Sequence, residues 1–214
     1  MMQIKVNLQI FLFIAIFILT HQIEIYACIM IFSLIHELGH MLAGLLLRLK
    51  PKTLNFMPFG IRLTFETYEY SNLVERKKFF IAIAGPLTNL IICIIASLLH
   101  INCGMKEIII YSNLLITLFN LIPLYPLDGG RILKCIIKLK YKGMKAETIV
   151  NKISNSLIIL LTAVSSIAIL YFKNLAILFI LIYLWVINLN ENKKYKIKLR
   201  MYNIMGKNNK CIDN

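Results

Sequence analysis

Long apolar stretches, separated by short polar and basic segments, run along almost the whole chain. Six of them are interpreted as membrane spans: 6–20, 25–47, 79–99, 108–127, 153–170 and 175–189. Several have the roughly 20 residues that a helix needs to cross about 30 Å of hydrocarbon, whereas the first and the last are shorter and need a thinner bilayer or flanking residues. The pattern predicts an all-α polytopic membrane protein with about six transmembrane helices.

Between the second and third spans the pattern changes to a period of two. Residues 61–66 alternate apolar and polar side chains, and Leu54 and Phe56 begin a similar alternation before Met57-Pro58-Phe59-Gly60. Alternation of this kind is typical of a strand with one covered face. We therefore predict a small β-hairpin between spans two and three, whose edge offers a place for strand addition.

Composition and charge agree with a membrane protein and predict its orientation. The chain is 59% hydrophobic and 16% charged, with a mean hydropathy of +0.74. Of the 24 Lys and Arg residues, one precedes span one, and seven follow each of spans two, four and six. Only Lys106 and Lys173 remain for the opposite side. By the positive-inside rule, both termini and the hairpin are cytoplasmic, so the net charge of +14 indicates topology rather than a nucleic-acid partner.

The amino-acid composition is uniform along the chain as far as a short basic segment at its end. We predict a membrane-embedded domain with six spans over residues 1–190 and a basic cytoplasmic tail over 191–214. The tail is too short to build its own core, and it is expected either on the membrane surface or disordered. The five cysteines contain no Cys-x-x-Cys pair, so neither a disulfide framework nor a cysteine zinc site is expected.

The second span contains the pattern His36-Glu37-Leu38-Gly39-His40. Histidines four residues apart differ by about 40° around a helix, so both can face one ion. In zinc hydrolases two imidazoles hold the metal, which lowers the pKa of a bound water towards about 7, and a neighbouring carboxylate takes the proton. From the composition of this chain, an accidental match has a chance on the order of 0.3%.

The position of the histidine pattern within its span also favours a metal site. His36 lies twelve residues from both Glu24 and Arg48, or about 18 Å along a helix from each end. Ionisable side chains near the middle of a membrane cost several kcal/mol and usually mark function. The alternative is a pair of histidines whose hydrogen bonds are satisfied between packed helices.

Zinc needs a third protein ligand, and the chain has only two aspartates, Asp128 and Asp213. Asp128 follows a stretch, 120–127, in which two prolines interrupt a hydrophobic segment. Broken backbone at membrane depth is tolerated where it lines a cavity. Residue counting places Asp128 near the cytoplasmic edge, below His36, so the break must let the chain turn back or widen. The alternative is that Asp128 caps a helix over 131–139.

These residues resemble the site-2 protease family of intramembrane metalloproteases, peptidase family M50. That family pairs His-Glu-x-x-His with a distant Asn-x-x-Pro-x-x-Pro-x-Asp-Gly, and residues 120–129 match the second pattern. The sequence Ala-Gly-Pro-Leu-Thr-Asn at 84–89 is similar to a third family feature. Pro58-Phe59-Gly60 resembles the branch that contains stage IV sporulation protein FB. The resemblance covers about residues 25–140.

The resemblance implies a role for each residue of the motifs. His36, His40 and Asp128 would bind one Zn²⁺, and Glu37 would be the general base. Asn120 would support the ligands or hold the substrate backbone. Because hydrolysis inside a membrane requires water at the zinc, we also expect a cytoplasm-facing polar cavity between spans two, three and four.

A membrane-associated protein substrate is implied as well. In the sporulation branch this is a membrane-tethered pro-sigma factor, whereas other branches cleave anti-sigma factors or signal-peptide remnants. The expected location is the bacterial cell membrane or the mother-cell membrane around a forespore, with possible inhibitory partners in the same membrane. Many relatives carry a CBS or a PDZ domain, and we expect neither here.

Two alternative functions, from classes other than proteases, are also compatible with the sequence. The same ligands could belong to a membrane metal-binding or transport protein, or the chain could be a catalytically silent scaffold. A transporter is expected to place further polar ligands along a path, whereas the polar chemistry here gathers at one site. Neither alternative explains the presence of Glu37.

Overall fold

The structure is a computed structural model that describes residues 3–19, 23–57, 60–99, 103–172 and 176–212. Within these residues the chain forms three strands and eight helices. They belong to two compact units, Met1–Leu121 and Ile122–Asn214.

The first unit combines a small sheet with long helices. Its elements are β1 (Gln3–Val6), α1 (Gln9–Leu19), α2 (Ile23–Leu46), β2 (Pro51–Met57), β3 (Gly60–Phe65), α3 (Thr67–Ser71), α4 (Glu75–Leu98) and α5 (Cys103–Asn120). Helix α2 packs against both α4 and α5, and α4 also packs along α5. Helix α2 also contacts β3.

The predicted hairpin is present as the antiparallel pair of β2 and β3. Its turn residues, Pro58 and Phe59, lie outside the described residues. The sheet contains a third strand that the sequence did not predict, because β1 pairs in parallel with β2 in the order β1-β2-β3. A strand of four residues carries little periodicity, and its partner follows only after two helices, so no local pattern announces it.

Helix α2 ends in a Schellman motif that directs the chain into the sheet. Arg48 adopts a left-handed φ of 61°. The amide of Leu49 donates to the carbonyl of Gly44 at 2.9 Å, and the amide of Arg48 donates to the carbonyl of Leu45 at 2.9 Å. Leu49 is buried with Ala43. The helix therefore ends sharply at Leu46, and β2 begins at Pro51 after four intervening residues.

A small residue lets α2 and α4 approach closely. A Cβ at Gly39 would lie 3.0 Å from the carbonyl oxygen of Ala84 and would overlap the hydroxyl of Thr88. Only glycine fits such a contact. The backbone of α4 consequently lies against the histidine-bearing part of α2.

The second unit consists of three helices: α6 (Asp128–Lys140), α7 (Met144–Phe172) and α8 (Ala176–Ile212). Helix α7 packs against both α6 and α8. Ile137, Ala146 and Val150 form the buried core between α6 and α7. Asp128 in the first turn of α6 and lysines in its last turn complement the helix dipole.

The interruption predicted within the fourth apolar stretch, 108–127, is present. Helix α5 ends at Asn120, and the next helix begins only at Asp128. Pro123 and Pro126 explain the interruption, because proline lacks a backbone N–H and disfavours helical backbone at the preceding residue. The predicted helix over 131–139 is confirmed as α6, which starts three residues earlier.

Three segments among the described residues are long and apolar enough to cross a membrane: Tyr26–Leu46, Glu75–Leu98 and Met144–Tyr171. They correspond to the predicted spans two, three and five. The other three spans, the cytoplasmic orientation and the domain boundary at residue 190 stay predictions. Helix α8 continues from the sixth apolar stretch through the basic segment to Ile212.

Candidate metal centre

The two predicted histidine ligands face each other on one side of α2. The Nε2 atoms of His36 and His40 lie 3.2 Å apart. The rings are almost perpendicular, at 81°, and each residue is only 2% exposed. Four-residue spacing on a regular helix produces this arrangement, as the sequence predicted.

The geometry of the pair fits a shared zinc ion. Two nitrogens bound to one tetrahedral zinc at 2.0–2.1 Å lie about 3.3 Å apart, close to the observed separation. Space beside both nitrogens comes from Gly85 of α4. A Cβ at Gly85 would lie 2.6 Å from Nε2 of His36 and would overlap Nε2 of His40.

His40 is oriented by the backbone of α4. Its Nδ1 atom lies 2.7 Å from the carbonyl oxygen of Ile81. A carbonyl oxygen only accepts hydrogen bonds, which assigns the proton to Nδ1 and leaves the lone pair on Nε2. Histidines that bind metals are commonly held by such a bond from the other ring nitrogen.

Glu37 is half-buried between the histidine pair and the sheet. The amide of Leu63 on β3 donates to its Oε2 at 2.8 Å. One turn earlier on α2, the hydroxyl of Ser33 accepts from the amide of Ile61 at 3.1 Å. Two alternate amides of β3 therefore bond to α2, which fixes the Glu37 carboxylate. On the outer edge of the predicted hairpin, these two amides are therefore already hydrogen-bonded to side chains of α2.

The other two predicted site residues lie at the ends of helices. Asn120 is the last residue of α5, and its side-chain amide donates to the carbonyl of Ile116 at 3.1 Å. Asp128 begins α6 in the second unit, is 5% exposed, and lies 3.5 Å from Nη1 of Arg131. Its position is inside the first turn, with Leu127 as the N-cap.

The two imidazoles of the first unit, His36 and His40, are donors of the kind that a zinc site needs. Asp128, the predicted third ligand, belongs to the second unit, and its part in the site stays a prediction.

Three supporting groups were not predicted from the sequence. The carbonyl of Ile81 and the amide of Leu63 are backbone groups far along the chain, so no side-chain pattern could reveal them. Ser33 did carry a signal, because a polar residue four positions before Glu37 lies on the same face of the helix.

The sequence is similar to that of known membrane metalloproteases. The profile of Peptidase family M50 matches residues 24–106 and 104–161. The chain is 31% identical over 150 residues to Stage IV sporulation protein FB of Bacillus subtilis (strain 168), which covers 67% of this chain and 51% of that protein. It is 31% identical over 135 residues to a zinc metalloprotease of Methanocaldococcus jannaschii, covering 59% and 38%. The chain thus spans about half or less of the length of these relatives.

A solved structure shares the fold. The site-2 protease from Methanocaldococcus jannaschii superposes with a TM-score of 0.68 at 24% identity, over 89% of this chain and 90% of that one. The family profile spans more than half of the present chain and includes His36, His40 and Asp128. The long apolar helices agree with it. The chain is therefore an integral membrane protein that belongs to peptidase family M50, the site-2 protease family.

Proposed function

We propose that this protein is a zinc-dependent endopeptidase that cleaves inside the membrane. His36, His40 and Asp128 would hold one Zn²⁺, and Glu37 would act as the general base. The observation that carries the proposal is the pair of Nε2 atoms at 3.2 Å with a fixed carboxylate on the next residue. A relative from Methanocaldococcus jannaschii is named a zinc metalloprotease.

The proposed chemistry divides between the ion and the side chains. When bound, zinc supplies a Lewis acid that activates water and polarises the scissile carbonyl. Glu37 accepts the proton from the attacking water and passes it to the leaving amine. The amide of Leu63 holds the carboxylate in place for both transfers, and the carbonyl of Ile81 keeps His40 in the required tautomer. Asn120 is proposed to support the site or hold the substrate backbone.

The proposed substrate is a membrane-associated protein cleaved near the cytoplasmic side. A membrane-tethered pro-sigma factor in sporulation is favoured by the 31% identity to Stage IV sporulation protein FB. Anti-sigma factors and signal-peptide remnants are the alternative within the same reaction class. We further propose six spans with both termini in the cytoplasm, on the basis of the lysine and arginine distribution.

A membrane metal-binding or transport protein is the alternative from another class. Transport needs a sequence of ligand positions, and a carboxylate fixed by a backbone amide beside the ion has no role in it. The hydrogen bond between Leu63 and Glu37 favours hydrolysis, because a general base must be held in one orientation.

Co-expression in a host without related proteases tests the proposal. Candidate membrane-tethered pro-sigma factors, anti-sigma factors and signal peptides are expressed with the wild type, with Glu37→Gln and with Glu24→Gln. Glu24 is an exposed glutamate at the start of α2, so its substitution is a matched control. Cleavage by the wild type and Glu24→Gln, but not by Glu37→Gln, is expected. Equal processing by all three would exclude the proposed role of Glu37.

A further inference from the structure

A second polar site lies in the second unit, apart from the histidine pair. A cavity of about 130 Å³ opens between α6, α7 and α8. This is well above the roughly 10–15 Å³ that one water molecule needs. Asn151, Ser154, Asn188 and Tyr195 contribute hydrogen-bonding groups to its wall. The cavity can therefore admit a polar group larger than water.

Positive charge converges on one carboxylate at this cavity. Glu147 on α7 lies 2.9 Å from the ammonium of Lys134, 3.0 Å from that of Lys198 and 3.4 Å from that of Lys138. These lysines come from α6 and α8, so the contacts join all three helices. One carboxylate carries a single negative charge, which leaves the three ammoniums under-compensated.

A second ion pair does not remove the excess. Glu191 accepts from Lys194 at 2.6 Å, and both residues line the same cavity. Together these four ion pairs form what we call the lysine cluster: Lys134, Lys138, Lys194 and Lys198 with Glu147 and Glu191. Within these six residues the ammoniums outnumber the carboxylates by four to two.

Lys134 remains charged despite its position. Its side chain is 22% exposed, and its ammonium lies 4.5 Å from the centre of the Tyr125 ring. Burial alone would lower the pKa of Lys134, but the attraction of Tyr125 and Glu147 outweighs it and raises that pKa. A partly buried ammonium that keeps its proton is a strong donor to an anion.

The cavity lies where two helices change from polar to apolar. On α8 the apolar stretch 176–189 ends and the basic segment begins at the level of Glu191 and Lys194. On α7 the polar start, which includes Asn151 and Ser154, gives way to the apolar residues 157–172. In a membrane protein this transition marks the headgroup region, where basic residues meet anionic lipids.

We propose that the cavity binds a phosphate group, and that the anionic headgroup of a phospholipid supplies it. The ammoniums of Lys134, Lys194 and Lys198, which line the cavity, would donate to the phosphate oxygens, and the negative charge would compensate the cluster. A network that served only to tie the helices together would need no more lysines than glutamates. The proposal does not depend on peptide hydrolysis, so its test uses the protein without substrate.

Lipid binding to the full chain in an uncharged detergent tests this site. Native mass spectrometry compares phosphatidylglycerol with the zwitterionic phosphatidylcholine, and inorganic phosphate serves as competitor. The wild type is expected to bind phosphatidylglycerol selectively. Lys194→Gln with Lys198→Gln is expected to weaken that binding by roughly 25-fold, because each lysine near an anionic lipid contributes about fivefold.

The same helix supplies a matched control. Lys193 and Lys196 are exposed and do not line the cavity. Lys193→Gln with Lys196→Gln removes the same charge from the same segment and should leave selective binding in place. Glu191→Gln, which removes a carboxylate from the cavity, should tighten it. A role limited to tying the helices together predicts no such tightening.

The outcomes separate the ligand sources and the alternatives. Competition by millimolar inorganic phosphate that is lost in the Lys194 and Lys198 variant supports a phosphate site that also accepts the free anion. Equal loss in both double variants, or equal binding of the two lipids by the wild type, would overturn the proposal.

Discussion

The imidazoles of α2 owe their arrangement to the backbone of α4. Spacing on one helix brings His36 and His40 to the same face, but the carbonyl of Ile81 selects the ring orientation of His40. The absence of a side chain at Gly85 provides the space beside both Nε2 atoms. Two of the three conditions for this pair therefore come from a helix about forty residues further along the chain.

Gly85→Ala tests this dependence at the scale of one residue. The added methyl group would overlap the Nε2 positions, so zinc binding is expected to weaken by on the order of 10- to 100-fold, as for loss of a group that supports a ligand. Zinc content of the purified protein, measured by elemental mass spectrometry, gives the answer. Gly104→Ala is the control, since a Cβ at Gly104 meets nothing within 4 Å. Equal zinc content in both variants would contradict the assignment of this space to the ion.

At the scale of elements, β3 and α2 form one assembly around Glu37. The amides of Ile61 and Leu63 donate to Ser33 and Glu37, which lie one helical turn apart. The spacing of two residues on the strand matches the spacing of four on the helix, about 6 to 7 Å along either element. The sheet thus positions the proposed general base in addition to linking α2 to the helices that follow it.

Ser33→Ala is predicted to destabilise this assembly. Removal of the hydroxyl leaves the buried amide of Ile61 without that acceptor, at a cost of about 1–3 kcal/mol. Thermal unfolding in detergent should show the loss. Ser71→Ala removes an exposed hydroxyl that bonds only within α3, and it should change stability by less than about 0.5 kcal/mol. A Ser33 variant as stable as the Ser71 variant would refute the coupling between strand and helix.

Some of these elements could be predicted from the sequence, because the pattern that specifies them lies within a short stretch of the chain. The periodicity of residues 61–66 and the five-residue histidine pattern are local, and both predicted β3 and the α2 pair correctly. Strand β1 depends on pairing with Thr53 and its neighbours, and the lysine cluster on α6, α7 and α8 packing together. Contacts of this kind join distant residues, so hydropathy and spacing do not report them.

At the scale of the whole molecule, the proposed third ligand, Asp128, comes from the second unit. Asp128→Asn replaces a charged oxygen donor by a neutral amide, so zinc binding should weaken by on the order of 100-fold, the upper end for groups that support a site. Asp213→Asn, the only other aspartate in the sequence, is the control. Zinc content unchanged by Asp128→Asn would remove that residue from the proposed ligand set.

Reporter fusions test the proposed orientation. Alkaline phosphatase needs disulfides and is active only outside the cytoplasm. A fusion at the C-terminus should be inactive, and one inserted between α4 and α5, on the side assigned to Lys106, should be active. Activity at the C-terminus would invert the proposed topology.

The central claim, that Glu37 performs zinc-dependent hydrolysis, is tested most directly with purified protein. Cleavage of a tethered substrate in detergent is compared between the wild type and Glu37→Gln at equal zinc content. The rate should fall by about 100- to 10,000-fold, the usual contribution of a general base, while zinc stays bound. A Glu37→Gln variant that cleaves at the wild-type rate would contradict the account.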